Sequence, residues 1–196
     1  MTPADHHTSF RYAAEGSVGF LFDLVWRLKT VGLENVPVTG PLILVGNHTS
    51  ITDGNVLAWS VRSVRRPRFL AKAELFSDPF RRWLFTTAGC IPVDRKGDAT
   101  AALRAATGVL QSGGSLVMFP EGGRVKPGQP RAPKAGVSFL AAAASAPVLP
   151  ARLLGPDRFP FSRMEVRLGK PLPPPPPGKD AAKDFAQAVM DAVYSL

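Results

Sequence analysis

Cysteine is nearly missing from this chain: Cys90 stands alone among 196 residues, so no disulfide can form within it. Histidine is scarce too, and three histidines with one cysteine cannot assemble a Cys/His metal cluster. The chain therefore reads as intracellular, with no metal expected. Acidic residues are few: 15 Asp and Glu stand against 24 Lys and Arg, leaving a net charge of +9. That imbalance points to an anionic partner, which by charge alone can be nucleic acid, an anionic membrane surface or a phosphorylated substrate. Long hydrophobic runs are also missing. The longest uncharged stretch, residues 135–151, contains Pro147 and Pro150 near its end and falls short of the ~20 apolar residues that a spanning helix needs. No basic segment followed by an apolar stretch opens the chain, so no secretory signal is expected.

Three common catalytic fingerprints are lacking as well. No two glycines are separated by a single residue, which removes G-x-G-x-x-G and disfavours a nicotinamide or flavin enzyme. Gly123 and Gly128 have Walker A spacing, but Gln129 stands where its lysine belongs. The nearest approach to G-x-S-x-G, around Ser138, lacks the second glycine, so no serine nucleophile is visible on an α/β scaffold.

What is present is ordinary globular chemistry, 45% hydrophobic and 20% charged, in a length that suits one domain. Short apolar runs bounded by turn residues recur at 42–45, 69–71, 90–93, 115–119, 148–151 and 164–168. They alternate with helical patterns at 53–62, 79–87, 98–111 and 134–145. This predicts an α/β class: a single domain with a largely parallel, mixed sheet flanked by helices. Residues 17–31 predict a preceding helix whose least apolar positions, Gly19, Asp23, Arg27 and Thr30, form one narrow stripe. It either packs on the domain or lies in a membrane interface, with Trp26, Arg27 and Lys29 as anchors. Pro173 to Pro177 forms a stiff spacer, and residues 180–195, with Phe185, Val189 and Val193 on one face, predict a docked helix. The organisation read here is 1–32 tail and helix, 33–172 main domain, 173–196 spacer and docking helix.

Ligands of such sheets gather at the carboxyl ends of the strands. His48 leaves the 42–45 run there, with Asp53 five residues on. On an ideal helix the two would lie about 140° apart, so pairing them requires a turn before the helix begins. Asp53 can be a helix cap and His48 an exposed loop residue; alternatively Asp53 holds one imidazole nitrogen so that the other accepts a proton. Asp94-Arg95 closes the 90–93 run as a surface pair or an anion contact. Phe119-Pro-Glu121-Gly122-Gly123-Arg124 closes another, where two glycines let backbone approach a ligand, and Lys134 opens a helix where a cation and free N–H groups can address phosphate. Each of these also has a plain reading as surface.

In order and spacing, Asn47-HTSIT-Asp53, Gly89-CIPV-Asp94-Arg95, Phe119-PEGG-Arg124 and Pro147-Val-Leu-Pro150 resemble the four blocks of the 1-acylglycerol-3-phosphate (lysophosphatidic acid) acyltransferase family. Lys72-Ala-Glu74-Leu75-Phe76 is similar to a further family segment, and the resemblance covers residues 33–171. It implies transfer of a fatty acyl group from acyl-CoA or acyl carrier protein to the free hydroxyl of lysophosphatidic acid, with no cofactor and no covalent acyl-enzyme. His48 would be the general base and Asp53 its orienter. Asn47, Arg95, Glu121, Gly122, Arg124 and Lys134 would contribute to the acceptor site, with both arginines on its phosphate, and Pro150 would line the acyl side. Two positions depart from the family pattern: Gly123 stands where Thr is usual and Pro92 where an aromatic is common. Other acceptors therefore stay open, among them glycerol-3-phosphate, another lysolipid or a lipid-linked sugar or amine, as does a non-catalytic anionic-lipid-binding protein. The expected location is the cytoplasmic face of the cell membrane, peripheral or monotopic. The basic stretch Arg62, Arg65, Arg66 and Arg68, with Arg81 and Arg82, would add ~1 kcal/mol of attraction per cation near anionic lipid. Nucleic acid is not expected as a partner, since the arginines lack interleaved aromatics for base stacking.

Overall fold

A computed structural model describes residues 27–87, 89–93, 99–126, 129, 131–155, 163–176 and 178–196. Seven strands form one sheet: β1 (Lys29–Val31), β2 (Leu42–Gly46), β3 (Arg68–Lys72), β4 (Cys90–Val93), β5 (Ser115–Met118), β6 (Val148–Leu154) and β7 (Glu165–Leu168). Their order is β1-β7-β6-β2-β5-β3-β4, and every pairing is parallel except β6 with β7. Five helices connect or flank them: α1 (Asp53–Ser60), α2 (Pro79–Thr87), α3 (Ala99–Gln111), α4 (Gly136–Ala143) and α5 (Lys179–Ser195). The α/β class and the largely parallel, mixed sheet are as the alternating pattern predicts.

The apolar runs are continuous because both faces of the sheet are covered. Along β2, Ile43 and Val45 join a core with Ala106 and Leu110 of α3, Leu140 of α4 and Val189 and Val193 of α5. Leu42 and Leu44 point the other way, into a core with Val56 and Leu57 of α1. All four are fully buried, and each such side chain contributes about 1.5–3 kcal/mol by leaving water. Cys90 sits half-buried in β4 as a small apolar filler, its thiol pushed up to about 11 by burial.

Two expectations change. The helix predicted over residues 17–31 does not reach its end: Lys29–Val31 is a strand, paired in parallel with Glu165, Val166 and Arg167. Backbone pairing on an open sheet edge outweighs the helical period there, and the sheet thus begins before residue 33; residues 17–26 lie outside the described residues. One arginine of the basic stretch 62–68 also differs from expectation, while Arg62, Arg66 and Arg68 are exposed. Arg65 is buried and donates to the carbonyl oxygens of Gly40 (2.7 Å), Gly113 (3.0 Å) and Pro37 (3.4 Å). It ties together the loops that enter β2 and β5, at the amino end of the sheet, and is not available to lipid. Among the described residues, no helix is long and apolar enough to cross a membrane.

Candidate active site

β2 runs fully buried through the middle of the sheet and delivers the chain to the carboxyl-end rim at Asn47. Asn47 is itself buried, and its side chain imitates a strand partner. Its Oδ1 accepts from the Leu153 N–H (2.8 Å), and its Nδ2 donates to the Leu153 carbonyl (3.2 Å). Both bonds are to backbone, and they fix the point from which the loop carrying His48 departs.

His48 is then held at four points. Its N–H donates to Glu121 Oε1 (3.1 Å), and its carbonyl accepts from the Val125 N–H (2.8 Å), so the loop after β5 clasps the loop after β2. Its Nδ1 lies 3.1 Å from Asp53 Oδ2, and its ring stacks on Phe119. A carboxylate oxygen only accepts, so Nδ1 carries the proton, and Nε2 has no protein partner among the described residues. The His48 side chain is 21% exposed, while that of Asp53 is fully buried.

The turn that the sequence required is present. Asp53 opens α1, and its Oδ2 also accepts from the N–H groups of Thr49 (2.6 Å) and Ser50 (2.7 Å). This curls residues 48–53 around the carboxylate. Asp53 is thus the first residue of α1 and not its cap, a position that Thr52 takes; its carboxylate turns back to the loop and the imidazole.

Glu121 is fully buried beneath the loop. Burial pushes its carboxyl above the ordinary range, opposed by the N–H groups of Glu121 and His48 and by the His48 charge, with Asp53 adding to the rise. Gly122 has φ +69°, and a Cβ there would lie 2.6 Å from Lys134 Cε; only glycine lets the lysine stem cross the turn. A Cβ on Gly123 would lie 3.3 Å from Arg131 Nη1. Arg131 and Lys134 therefore close on the two glycines, with Arg124 exposed beside them. None of these three cations forms an ion pair among the described residues. Pro150 sits lower, buried in β6 opposite Val45 and accepting from the Gly169 N–H, within the sheet and below the rim. Arg95 lies outside the described residues.

Sequence reasoning missed Arg131, Arg152 and Tyr194. The guanidinium of Arg152 lies 4.4 Å from the centre of the Tyr194 ring. Burial and then the Glu121 carboxylate raise the Tyr194 phenol, and Arg152 lowers it, so α5 reaches the edge of the site. None of the three lies in a motif, and only the loop path and helix docking bring them here. Four buried polar side-chain atoms have no hydrogen-bond partner among the described residues: Thr49 Oγ1, Asp53 Oδ1, Glu121 Oε2 and Arg152 Nη1. All four belong to this rim. Among the described residues, no group of three or more His, Cys, Asp or Glu side chains is placed to hold a metal ion.

The chain is similar in sequence and in fold to known acyltransferases. A chloroplastic 1-acyl-sn-glycerol-3-phosphate acyltransferase of Arabidopsis thaliana is 30% identical over 137 residues, covering 68% of this chain and 38% of the relative. One from Brassica napus is 32% identical, covering 68% and 39%, so the chain spans about two-fifths of these relatives' length. A Bacillus subtilis 1-acyl-sn-glycerol-3-phosphate acyltransferase is 25% identical over 149 residues, covering 74% of this chain and 73% of its own. The crystal structure of a 1-acyl-sn-glycerophosphate acyltransferase from Thermotoga maritima shares the fold, with TM-score 0.70 and 24% identity over 92% of this chain and 74% of that one. A sequence model of the family named Acyltransferase matches residues 27–154, from β1 through both halves of the rim to the end of β6, and the chain belongs to that family.

Proposed function

We propose that this chain transfers a fatty acyl group from acyl-CoA or acyl carrier protein to the free hydroxyl of lysophosphatidic acid, giving phosphatidic acid. The observation that carries the reading is the His48–Asp53 pair, 3.1 Å apart, with Nε2 left unpartnered at the rim. In the proposed step, Nε2 takes the acceptor's hydroxyl proton as its oxygen attacks the thioester carbonyl. The C–S bond then breaks, and the imidazolium returns the proton to the departing thiolate. Asp53 holds Nδ1–H throughout, and a base so positioned supplies on the order of 10²–10⁴-fold. The donor is already activated as a thioester, so neither a cofactor nor a covalent acyl-enzyme is required.

Arg124 and Lys134, joined by Arg131, lie beside the Gly122-Gly123 turn and suit the acceptor's phosphate, with Arg95 in the same role. The chain acts at the cytoplasmic face of the membrane, held peripherally through its net positive charge. The names of the chloroplastic and bacterial relatives support this acceptor over glycerol-3-phosphate or a lipid-linked sugar or amine.

The test is incubation of purified protein with palmitoyl-CoA and lysophosphatidic acid, following free thiol and phosphatidic acid, with His48→Ala alongside. Both products should form with wild type, and the variant should fall by about 10²–10⁴-fold. Thiol release without phosphatidic acid would move the acceptor to another class. Equal activity in the two proteins would remove His48 from the mechanism.

A further inference from the structure

His48 and Phe119 stack nearly parallel, with ring centroids 4.2 Å apart and planes inclined by 17°. The stack follows from register. In the parallel β2–β5 pair, Val45 lies opposite Met118, so Gly46 and Phe119 are the next pair beyond the ladder. Glycine at 46 leaves the Phe119 ring room to lie across the exit of β2: a Cβ there would stand 3.3 Å from Phe119 Cε1, besides 2.8 Å from a Leu153 methyl. A Cβ on Gly54, directly after Asp53, would come to 3.8 Å from Phe119 Cε2 and 3.4 Å from Phe69. Both glycines that flank the His48–Asp53 segment thus border the seat of this one ring, whose inner side packs on the core around Leu44 and Leu57.

We propose that Phe119 is a positioning residue that fixes the plane of the His48 imidazole by stacking on it. The proposal rests on reading His48 as the base. The hydrogen bond to Asp53 fixes Nδ1, but a ring held at one atom can still tilt about that point, because the terminal torsion of histidine is broad. Tilting displaces Nε2, the atom that must meet the acceptor hydroxyl, while leaving the Asp53 bond intact. A flat aromatic face removes that freedom. It also covers one side of the imidazole, leaving the other for the substrate.

The experiment compares Phe119→Leu, apolar but not planar, with Phe119→Tyr, which keeps the ring. Phe119→Leu should lower kcat roughly ten- to a hundredfold through misplacement of Nε2, with KM for both substrates and the unfolding midpoint near wild type. Phe119→Tyr should restore kcat to within about threefold. NMR of the His48 ring reads the same point without turnover: the Nδ1–H tautomer persists in all three proteins, while the ring signals are single and sharp in wild type and Phe119→Tyr and exchange-broadened in Phe119→Leu. Should acyl transfer fail in wild type, the proposed activity falls while the NMR comparison still judges the stack. Should Phe119→Leu not fold, the wild-type spectrum decides, since the lack of a ring-to-ring Overhauser contact between His48 and Phe119 would overturn the proposal. So would a kcat in Phe119→Leu within twofold of wild type, or a loss that tyrosine does not repair.

Discussion

Arg65 at the amino end of the sheet and the cations of the Gly122-Gly123 turn at the carboxyl end are held in opposite ways. At the amino end, Arg65 is buried and its guanidinium is answered by the carbonyls of Pro37, Gly40 and Gly113, three loop oxygens in fixed positions. At the carboxyl end, Arg124, Arg131 and Lys134 are exposed around a glycine turn with no carboxylate paired to them among the described residues, Arg131 reaching one carbonyl, that of Glu121, at 3.5 Å, and the buried polar atoms left without partners all cluster there. Buried polar groups are almost always satisfied when their role is to hold a fold. The amino end is accordingly a closed structural joint, whereas the carboxyl end keeps charge and hydrogen-bonding capacity for something outside the chain.

That contrast can be broken in three ways. The largest effect should come from Arg65→Ala. It leaves the buried carbonyls of the β2 and β5 entry loops without their donor and should cost about 3 kcal/mol in urea unfolding, with kcat within about twofold of wild type. Stability within error of wild type would show that the joint is not structural. Next come Arg131→Ala and Lys134→Ala, each expected to raise KM for the acceptor about tenfold, equivalent to ~1.4 kcal/mol of lost charge-assisted binding, with the unfolding midpoint unmoved. A loss of stability like that of Arg65→Ala, with KM unchanged, would make these cations structural too and erase the difference between the two ends.

The smallest effect concerns Glu121. Burial raises its folded-state pKa above the unfolded value, so the folded chain keeps the proton to higher pH. Its contribution to stability is then unfavourable above the ordinary carboxylate range, and in full above the raised pKa. Glu121→Gln keeps an acceptor for the His48 N–H but removes the titration. Its urea midpoint relative to wild type should therefore climb as the pH rises above the ordinary carboxylate range. A relative midpoint that falls with the same rise in pH would mean that the buried carboxylate is net stabilised by its donors.

Much of the scaffold is legible because burial on both faces writes it into composition. Residues 42–45 and 148–151 are apolar without alternation, which is the mark of a central parallel strand, and they lie side by side in β2 and β6. The His48 and Asp53 pairing is legible as a possibility only, since five residues span too wide an angle on a helix and the turn that closes it is built by backbone N–H groups carrying no sequence signal. Residues 29–31 mislead for the opposite reason. Their apolar spacing continues a helical pattern, and it is the edge of β7, far along the chain, that makes them a strand.

Local pattern alone specifies the alternation of strands and helices, the carboxyl-end location of His48, Asp53, Glu121 and Arg124, and the family to which they point. These are properties of local pattern and short spacing, where side-chain period and turn chemistry suffice. Tertiary structure decided which groups share a site and which do not. It placed Arg65 in a joint, committed Asn47 to the backbone of Leu153, drew Arg131 over Gly123, and laid Phe119 against His48 through the register of β2 and β5. The physical reason is that these contacts join residues far apart in the chain: their closeness depends on strand register, loop path and helix docking, which the pattern of any one segment does not contain.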